Sequence, residues 1–445
     1  MQAVDGAAQA TVGLDALIDR AGWAVARAAL GMLGGAYGRR VVVVAGKGHN
    51  GDDGRVAAAR LAERGVAVRL VDPSGGGRLP PCDLVVDAAY GTGFRGTYDA
   101  PVPAPGTPVL AVDIPSGVDG DTGAAGDGAV AAVRTVTFAA YKPGLLLGRG
   151  AELAGEVEVA DIGLDVSSSA AAVVEDGDVA ALLPRRRREA HKWQAAVGVV
   201  AGSPGMHGSA ELCSGAALRA GAGYVRLGIP GATALPGGEV VATALPAGDW
   251  ADAALAWTER CRALVVGPGL GRDEATVAAV RRLVAAAPVP VLVDADGLYA
   301  LGEKAAEVIS GRSQPTVLTP HEGEFRFITG AAPGPDRLEA VRSAAAGTGA
   351  TVLLKGSTTV VAGPDGEVLI STSGGPQLAT AGTGDVLSGV IGAFLALGLG
   401  APTAAGLGAH VHGRAGAGEP PIGLVAGRLV QALPATVSRL AGAGG

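Results

Sequence analysis

Aromatic side chains are scarce in this sequence: five Phe, six Tyr and four Trp make up 3% of 445 residues. Cores centred on large rings are excluded, so the 48% hydrophobic content must pack as Val, Leu and Ala. Cysteine occurs three times, at Cys82, Cys213 and Cys261, without the spacing of a metal or redox site. Reduced thiols in a cytoplasmic protein are the simple expectation. Positive charge is not in excess: the net charge is -7 and no basic stripe runs along the chain, which argues against nucleic acid as a partner. The single basic block, Arg185 to Arg188, reads as a solvated boundary segment. No apolar run approaches the ~20 residues that span a bilayer, so no membrane contact is expected. Residues 1–10 show no positive region followed by an apolar one, so no export signal is visible.

What is abundant is glycine, 74 residues of it. Glycine permits close backbone approaches, and short Val-rich runs suit strands buried on both faces. The expectation is an α/β protein. At about 150 residues per domain, the length predicts two or three domains.

The spacing of Leu14, Leu17, Ile18, Ala21, Val25, Ala28 and Ala29 predicts a helix over residues 14–31. The run Val41-Val42-Val43-Val44 predicts a buried parallel strand, followed by a Gly-rich turn and a helix over residues 54–64. Further strands are expected at residues 66–71, 84–88, 109–112 and 134–138. A Ser/Ala-rich lapse near residues 166–172, with Pro184 and the arginines after it, marks a linker over residues 166–184 between domains at 1–165 and 185–445. The second half repeats the alternation. Strands are expected at 197–201, 263–266, 289–293, 316–318 and 352–354, with a hairpin around Pro364-Asp365-Gly366. Helices are expected at 210–220, from just after Gly384 to about 397, and over 403–416.

In the first half, polar loops follow three strands. Gly46 to Gly54 is a glycine-rich turn entering a helix, a place where backbone N–H groups can meet phosphate. Asp87 ends a strand and is followed by Gly91-Thr92-Gly93; Asp113 ends another and is followed by Ile114-Pro115-Ser116-Gly117. Either aspartate alone can be read as a turn cap. Open parallel sheets, however, bind ligands at the carboxyl ends of their strands, where all three loops lie.

Together with Ile18 to Gly22 and Lys142-Pro143-Gly144, these segments resemble the NAD(P)H-hydrate epimerase domain over residues 1–165. The resemblance implies a Rossmann-like fold. It implies potassium held by Asn50, Asp87 and Ser116. It implies ligand contacts from His49, Asn50, Gly51, Asp52 and Asp53, from Gly91, Thr92, Gly93, Phe94, Arg95, Gly96 and Thr97, and from Asp113. The family's phosphate loop usually reads Asn-Asn-Gly-Gly-Asp-Gly; here it reads His49-Asn50-Gly51-Asp52-Asp53-Gly54, and Asp52 adds a negative charge. Epimerisation at C6 of a hydrated nicotinamide needs an acid/base group, and Asp113 is the candidate, provided burial raises its pKa.

In the second half, Thr380 to Asp385 opens a helix. Free N–H groups there can hold an anion, and Asp385 at the mouth can activate a hydroxyl for attack on phosphorus. Asp385 can also be read as a plain helix cap. Four more polar loops follow apolar strands: Gly267 to Gly271, Asp294-Ala295-Asp296, Thr319 to Glu324, and Lys355-Gly356-Ser357. Each alone also has a bland reading.

Jointly with His191-Lys192, Ala201 to Gly205 and Leu218 to Gly223, these segments look like the ribokinase-like superfamily, and more closely like the NAD(P)H-hydrate dehydratases, over residues 185–440. The implied architecture is α/β: two three-layer αβα domains, the first Rossmann-like and the second ribokinase-like. The resemblance makes Asp385 the base. It places phosphates at Gly382, Thr383 and Gly384, and the adenine nucleotide at Lys355, Gly356, Ser357, Thr358 and Thr359. It lines the hydrated-nicotinamide pocket with Ala210, Gly269, His321 and Asp385. It implies ADP and magnesium for the reaction, hydrated NADH or NADPH as substrate, and a homo-oligomer. Ala381, Glu322 and Trp193 depart from the family's usual Gly, Pro and Gly, and none of them is a reacting group. The alternative reading is a ribokinase-like small-molecule kinase with a non-catalytic N-terminal binding module. That alternative leaves His191-Lys192 and the segment Thr319 to Glu324 unexplained.

Overall fold

A computed structural model describes residues 13–442. The chain forms two compact units, Met1–Ser169 and Ala170–Gly445.

The first unit begins with helix α1 (Leu14–Leu33), stopped by Gly34 in the left-handed region. Strand β1 (Arg40–Ala45) is buried at every position after Arg40, as a run of four valines in a central parallel strand requires. Helix α2 (His49–Glu63) follows, then β2 (Ala67–Val71), β3 (Leu84–Ala88), β4 (Val109–Val112), β5 (Arg134–Phe138), the short helix α3 (Gly148–Leu153) and β6 (Glu156–Ala160). All six strands are parallel, in the order β2-β1-β3-β4-β5-β6. The core under α1 and α2 is aliphatic, with Val25, Val41, Val43, Leu61, Val86 and Leu110 at its centre. Two expectations change. Strand β6 was missed because it is an edge strand carrying the partly exposed Glu156 and Glu158. Helix α2 starts at His49 rather than Gly54, so His49 to Asp53 form its opening turn and not a loop.

The second unit is one ten-stranded sheet, ordered β10-β9-β8-β11-β12-β13-β14-β15-β16-β7. Its elements run β7 (Ala171–Val173), α4 (Asp176–Leu182), β8 (Ala196–Val200), α5 (His207–Arg219), β9 (Tyr224–Pro230), β10 (Val241–Leu245), α6 (Ala251–Thr258), β11 (Ala263–Val266), α7 (Glu274–Ala286), β12 (Val291–Val293), α8 (Asp296–Leu301), α9 (Ala305–Ser310) and β13 (Thr316–Leu318). Then come α10 (Glu322–Thr329), α11 (Arg337–Thr348), β14 (Thr351–Leu354), β15 (Thr359–Ala362), β16 (Val368–Ser371), α12 (Thr383–Ala396), α13 (Ala401–Ala417) and α14 (Ala426–Leu440). Strands β8 to β14 are parallel, and β14, β15 and β16 form an antiparallel meander. Helix α12 is buried along nearly its whole length, from Val386 to Ala396. It packs between α5 and α13, and the glycine-rich loop ending in Gly382 leads into its N-terminus.

The segment expected to be a linker belongs to this unit instead. Residues Ala171 to Val173 pair with Val368 to Ile370, and α4 follows directly. Asp176 on α4 bonds His410 Nε2 at 2.8 Å and pairs with Arg414, both on α13. Three residues of small Ala/Val strand carry too little pattern to be read before their pairing partner is known. Strands β9 and β10 and helix α14 were likewise not anticipated.

Candidate active sites

In the first unit the three sequence-derived loops converge at the carboxyl end of the sheet. The start of α2 lies tightly against the β1 turn: a Cβ at Gly51 would fall 2.0 Å from Gly46 O, so only glycine fits. Asp87 at the end of β3 is almost fully buried. It accepts hydrogen bonds from Ser116 N at 2.8 Å and Ser116 Oγ at 2.7 Å. Burial nonetheless raises its pKa to about 6, against the lowering effect of the Ser116 bonds. Asn50 Nδ2 donates to Tyr90 O at 2.9 Å, and Tyr90 N donates to Ser116 Oγ at 2.9 Å. Asn50 Oδ1 is buried and has no hydrogen-bond partner. An orphaned amide oxygen beside a buried carboxylate and a hydroxyl is a donor set that suits a hard monovalent cation.

Asp113 lies beyond β4 with φ 66°, a left-handed conformation rare for a non-glycine residue. Lys142 Nζ sits 2.5 Å from its Oδ1, and Thr137 Oγ1 donates to the same oxygen at 3.1 Å. Within the motif Lys142-Pro143-Gly144, it is the Lys142 side chain that the fold brings against Asp113. Asp53, on the buried side of α2, has its pKa raised to about 8, first by burial and then by the charges of Asp113 and Asp52. Asp52 points to solvent, where Arg55 Nη1 meets it at 3.0 Å, so its added charge is offset locally. Arg95 turns toward Asp119 and Asp121, at 3.5 and 3.4 Å. Phe94 stacks on Tyr90 with ring centroids 4.9 Å apart, and Gly91 packs against Asn50. Gly93, Gly96 and Thr97 are exposed at the loop tip.

In the second unit Asp385 occupies the first turn of α12. Gly382 precedes it at φ 89°, a left-handed conformation that favours glycine, and a Cβ there would press on the tip of the Leu212 side chain. Burial raises the Asp385 pKa to about 6, opposed by a hydrogen bond from Ser209 and reinforced by the charge of Asp294. Lys355 Nζ bonds Asp294 Oδ1 at 2.8 Å and lies 3.6 Å from Glu324 Oε2. Burial disfavours the Lys355 ammonium, but the Asp294 and Glu324 carboxylates outweigh it and raise its pKa. The other Asp294 oxygen accepts from Ser388 Oγ at 2.7 Å. A Cβ on Gly384 would be 3.6 Å from Lys355 Nζ, so the ammonium stands against the helix N-terminus where a phosphate would lie. Thr383 Oγ1 is turned inward, donating to Leu378 O at 2.7 Å.

Gly269 lies against Ser209, which itself bonds Asp385, and Ala210 is fully buried on α5. His321 caps α10: its Nδ1 accepts from Gly323 N at 2.9 Å and Glu324 N at 3.2 Å, which puts the neutral ring's proton on Nε2. Gly356 is tight against Arg337, whose Nη2 donates to Lys355 O at 3.4 Å. Ser357 is exposed, Thr358 is buried, and Thr359 opens β15. Sequence reasoning missed Ser209, Ser388 and Arg337, ordinary residues whose roles arise from distant pairing. It also missed His412 on α13, which is buried and within 2.9 Å of Thr383 O through Nε2. Burial lowers the His412 pKa to about 4, so a neutral ring donates to that carbonyl. Among the described residues, no helix is long and apolar enough to cross a membrane.

Comparison with known proteins identifies two families, one for each unit. Residues 197–421 match the NAD(P)H-hydrate dehydratase family, and residues 14–75 and 72–144 match the family described as YjeF-related protein N-terminus. The chain is 42% identical over 370 residues to the bifunctional NAD(P)H-hydrate repair enzyme Nnr of Mycobacterium tuberculosis, covering 77% of this chain and 75% of that protein. It is 37% identical over 408 residues to the enzyme of the same name from Moorella thermoacetica, covering 77% and 76%. The structure of the ADP/ATP-dependent NAD(P)H-hydrate dehydratase of Bacillus subtilis, co-crystallised with ATP and Mg2+, superposes with a TM-score of 0.51 at 30% identity. That match covers 60% of this chain and 97% of the other. A ribokinase-like protein of Enterococcus faecalis gives a TM-score of 0.53 at 20% identity, over 62% and 99% of the two chains, a likeness of fold. The chain belongs to the family of bifunctional NAD(P)H-hydrate repair enzymes.

Proposed function

We propose that the second unit dehydrates the S form of hydrated NADH and NADPH at the expense of ADP, while the first unit interconverts the R and S forms at C6. The observation that carries this reading is the partly buried Asp385 carboxyl in the first turn of α12, held by Ser209 with Asp294 nearby, its pKa raised to about 6. At neutral pH it is ionised yet basic enough to take the proton of the C6 hydroxyl. The alkoxide oxygen attacks the terminal phosphorus, the P–O bond to AMP breaks, and a C6 phosphate ester forms. The ring nitrogen's electron pair then expels phosphate, and loss of a C5 proton restores the reduced nicotinamide. Phosphate leaves far more readily than hydroxide, which is why the step is tied to a nucleotide. The N–H groups at Gly382, Thr383 and Gly384, with the Lys355 ammonium, hold the transferring phosphate. The segment Lys355, Gly356, Ser357, Thr358 and Thr359 contacts the adenine nucleotide. Magnesium, when bound with the nucleotide, would supply positive charge against the developing charge on its phosphates.

In the first unit, Asp113 is the acid/base group at C6. Asn50, Asp87 and Ser116 fit potassium, and the unpaired Asn50 Oδ1 supports this. Positive charge there would offset the buried Asp87 carboxylate. The reading includes a cytoplasmic homo-oligomer, which light scattering tests for assembly. The central experiment mixes the protein with racemic NADH hydrate, ADP and magnesium and follows reduced-nicotinamide absorbance. Full recovery is expected. No recovery with either ADP or ATP sinks the dehydratase assignment. Recovery that halts at half the hydrate leaves the first unit inert.

A further inference from the structure

Arg272 follows the glycine turn that carries Gly269 and has no part in the proposed reaction steps. Its Nε donates to Asp296 Oδ1 at 2.7 Å, while Gly271 N donates to Asp296 Oδ2 at 2.9 Å. Its guanidinium carbon lies 4.7 Å from the centre of the Tyr299 ring and 5.8 Å from that of Phe327. Those two rings meet edge to face at 5.5 Å. The side chain is thus fixed at three points but stays 52% exposed. Neither Nη1 nor Nη2 has a partner among the described residues. A guanidinium with one edge clamped, one face stacked and two nitrogens facing solvent is already arranged to receive an anion.

Its location says which anion. Asp294, Ala295 and Asp296 form one turn, with Ala295 at φ 50°, strained for a residue with a Cβ. That strain aims Asp294 inward at Lys355 and Asp296 outward at Arg272. On the other side, Gly269 abuts Ser209, which bonds Asp385. Phe327 belongs to α10, the helix that His321 caps. Arg272 therefore stands at the rim between the Gly269 turn and the His321 helix, next to the ring-binding end of the site. A hydrated NAD(P)H is a dinucleotide, so a ring seated at Asp385 leaves its phosphates to run outward over this rim.

We infer that Arg272 binds a phosphate of the hydrated dinucleotide, either the pyrophosphate common to both hydrates or the 2′-phosphate of the NADPH form. The inference rests on the dehydratase reading of this unit. An exposed pair such as Arg272 with Asp296 adds little stability by itself, so a purely structural role predicts little effect of removing the charge.

The test is steady-state kinetics of Arg272→Ala, Arg272→Gln and Arg272→Lys with NADH hydrate, NADPH hydrate and ADP. For Arg272→Ala the KM of the hydrate should rise about tenfold, with kcat within about twofold and the KM for ADP unchanged. A rise for both hydrates identifies the pyrophosphate; a rise for NADPH hydrate alone identifies the 2′-phosphate. Arg272→Gln keeps a donor for Asp296 without the charge and should behave as the alanine variant does. Arg272→Lys should recover part of the loss. Hydrate KM values unchanged in Arg272→Ala, restored in Arg272→Gln, or raised in step with that of ADP overturn the assignment. A wild-type protein that does not turn over overturns the repair reading and this one with it. An active wild type with an unaltered Arg272→Ala overturns Arg272 alone.

Discussion

Lys142 Nζ lies 2.5 Å from Asp113 Oδ1, and its remaining protons go to Thr137 Oγ1 and Phe138 O, each at 2.9 Å. The two residues are 29 positions apart in the chain, and Lys142 is nearly fully buried. A buried amine with three partners holds the Asp113 carboxyl oxygen in one place, as the proposed acid/base role of Asp113 requires. Lys142→Met should therefore slow epimerisation about 100-fold or more, the scale of a positioned acid/base group. Dehydration of pure S hydrate should persist, since it uses the other unit. Absorbance recovery from the racemate should pause near half. Unimpeded recovery from the racemate would show that Lys142 is dispensable.

Asp385 links activity and stability with opposite signs. Its carboxyl titrates near 3.8 when unfolded and about 6 when folded, chiefly through burial. The folded state thus holds the proton more tightly, so this group stabilises the fold when protonated. That contribution declines as pH rises from about 4 through 6. Activity needs the ionised form, so kcat/KM should fall on the acid side with a midpoint near pH 6. Asp385→Asn should abolish turnover and, at pH 8, stabilise the second unit by about 1–3 kcal/mol. Chemical denaturation of both proteins at pH 4 and pH 8 measures it. A stability difference that does not grow with pH removes the argument.

His412 holds the Gly382 to Gly384 turn, the proposed phosphate loop, through Thr383. Its Nε2 donates to Thr383 O, and burial keeps the ring neutral down to about pH 4. His412→Leu should raise the KM for ADP about tenfold, and His412→Gln, which returns an N–H at a similar distance, should recover most of it. The recovery should be independent of pH between 6 and 9. Equal defects in both variants point to packing alone.

Residues 171–182 complete the second sheet. A fragment starting at residue 170 should fold cooperatively. One starting at residue 185 loses β7 and leaves His410 and Arg414 without Asp176. Its Tm should be roughly 5–10 °C lower, because the β16 edge loses its strand partner and the buried His410 loses its Asp176 hydrogen bond. Calorimetry of the two fragments decides; identical transitions would falsify the assignment of this segment to the second unit.

Gly382→Ala puts a Cβ on a left-handed backbone that an L side chain rarely adopts, with the Leu212 tip having to turn aside. The loop must shift, so ADP turnover should drop by at least about tenfold while the far-UV spectrum stays unchanged. A fully active variant would show that the loop has slack.

Much of this protein is legible in its sequence because local chemistry decided it. Four valines at positions 41–44 have no lower-energy place than a strand buried on both faces, and the structure puts them there. Gly382 to Asp385 had to open a helix, since the glycine conformation, the free N–H groups and the carboxylate are all set within a few residues. Strand β7, by contrast, is three small residues whose only cause is the exposed edge of β16, almost 200 positions away. Lys355 meets Asp294 across 61 residues, and Arg272 meets Asp296 across 24. No local pattern announces such pairs, because their energy comes from contacts that exist only once the sheet has closed and water has left. The sequence determined the buried strands and the glycine-rich turns that open helices α2 and α12. The tertiary structure decided that burial would raise the Asp385 pKa and that a strained turn would face one aspartate inward and the other out.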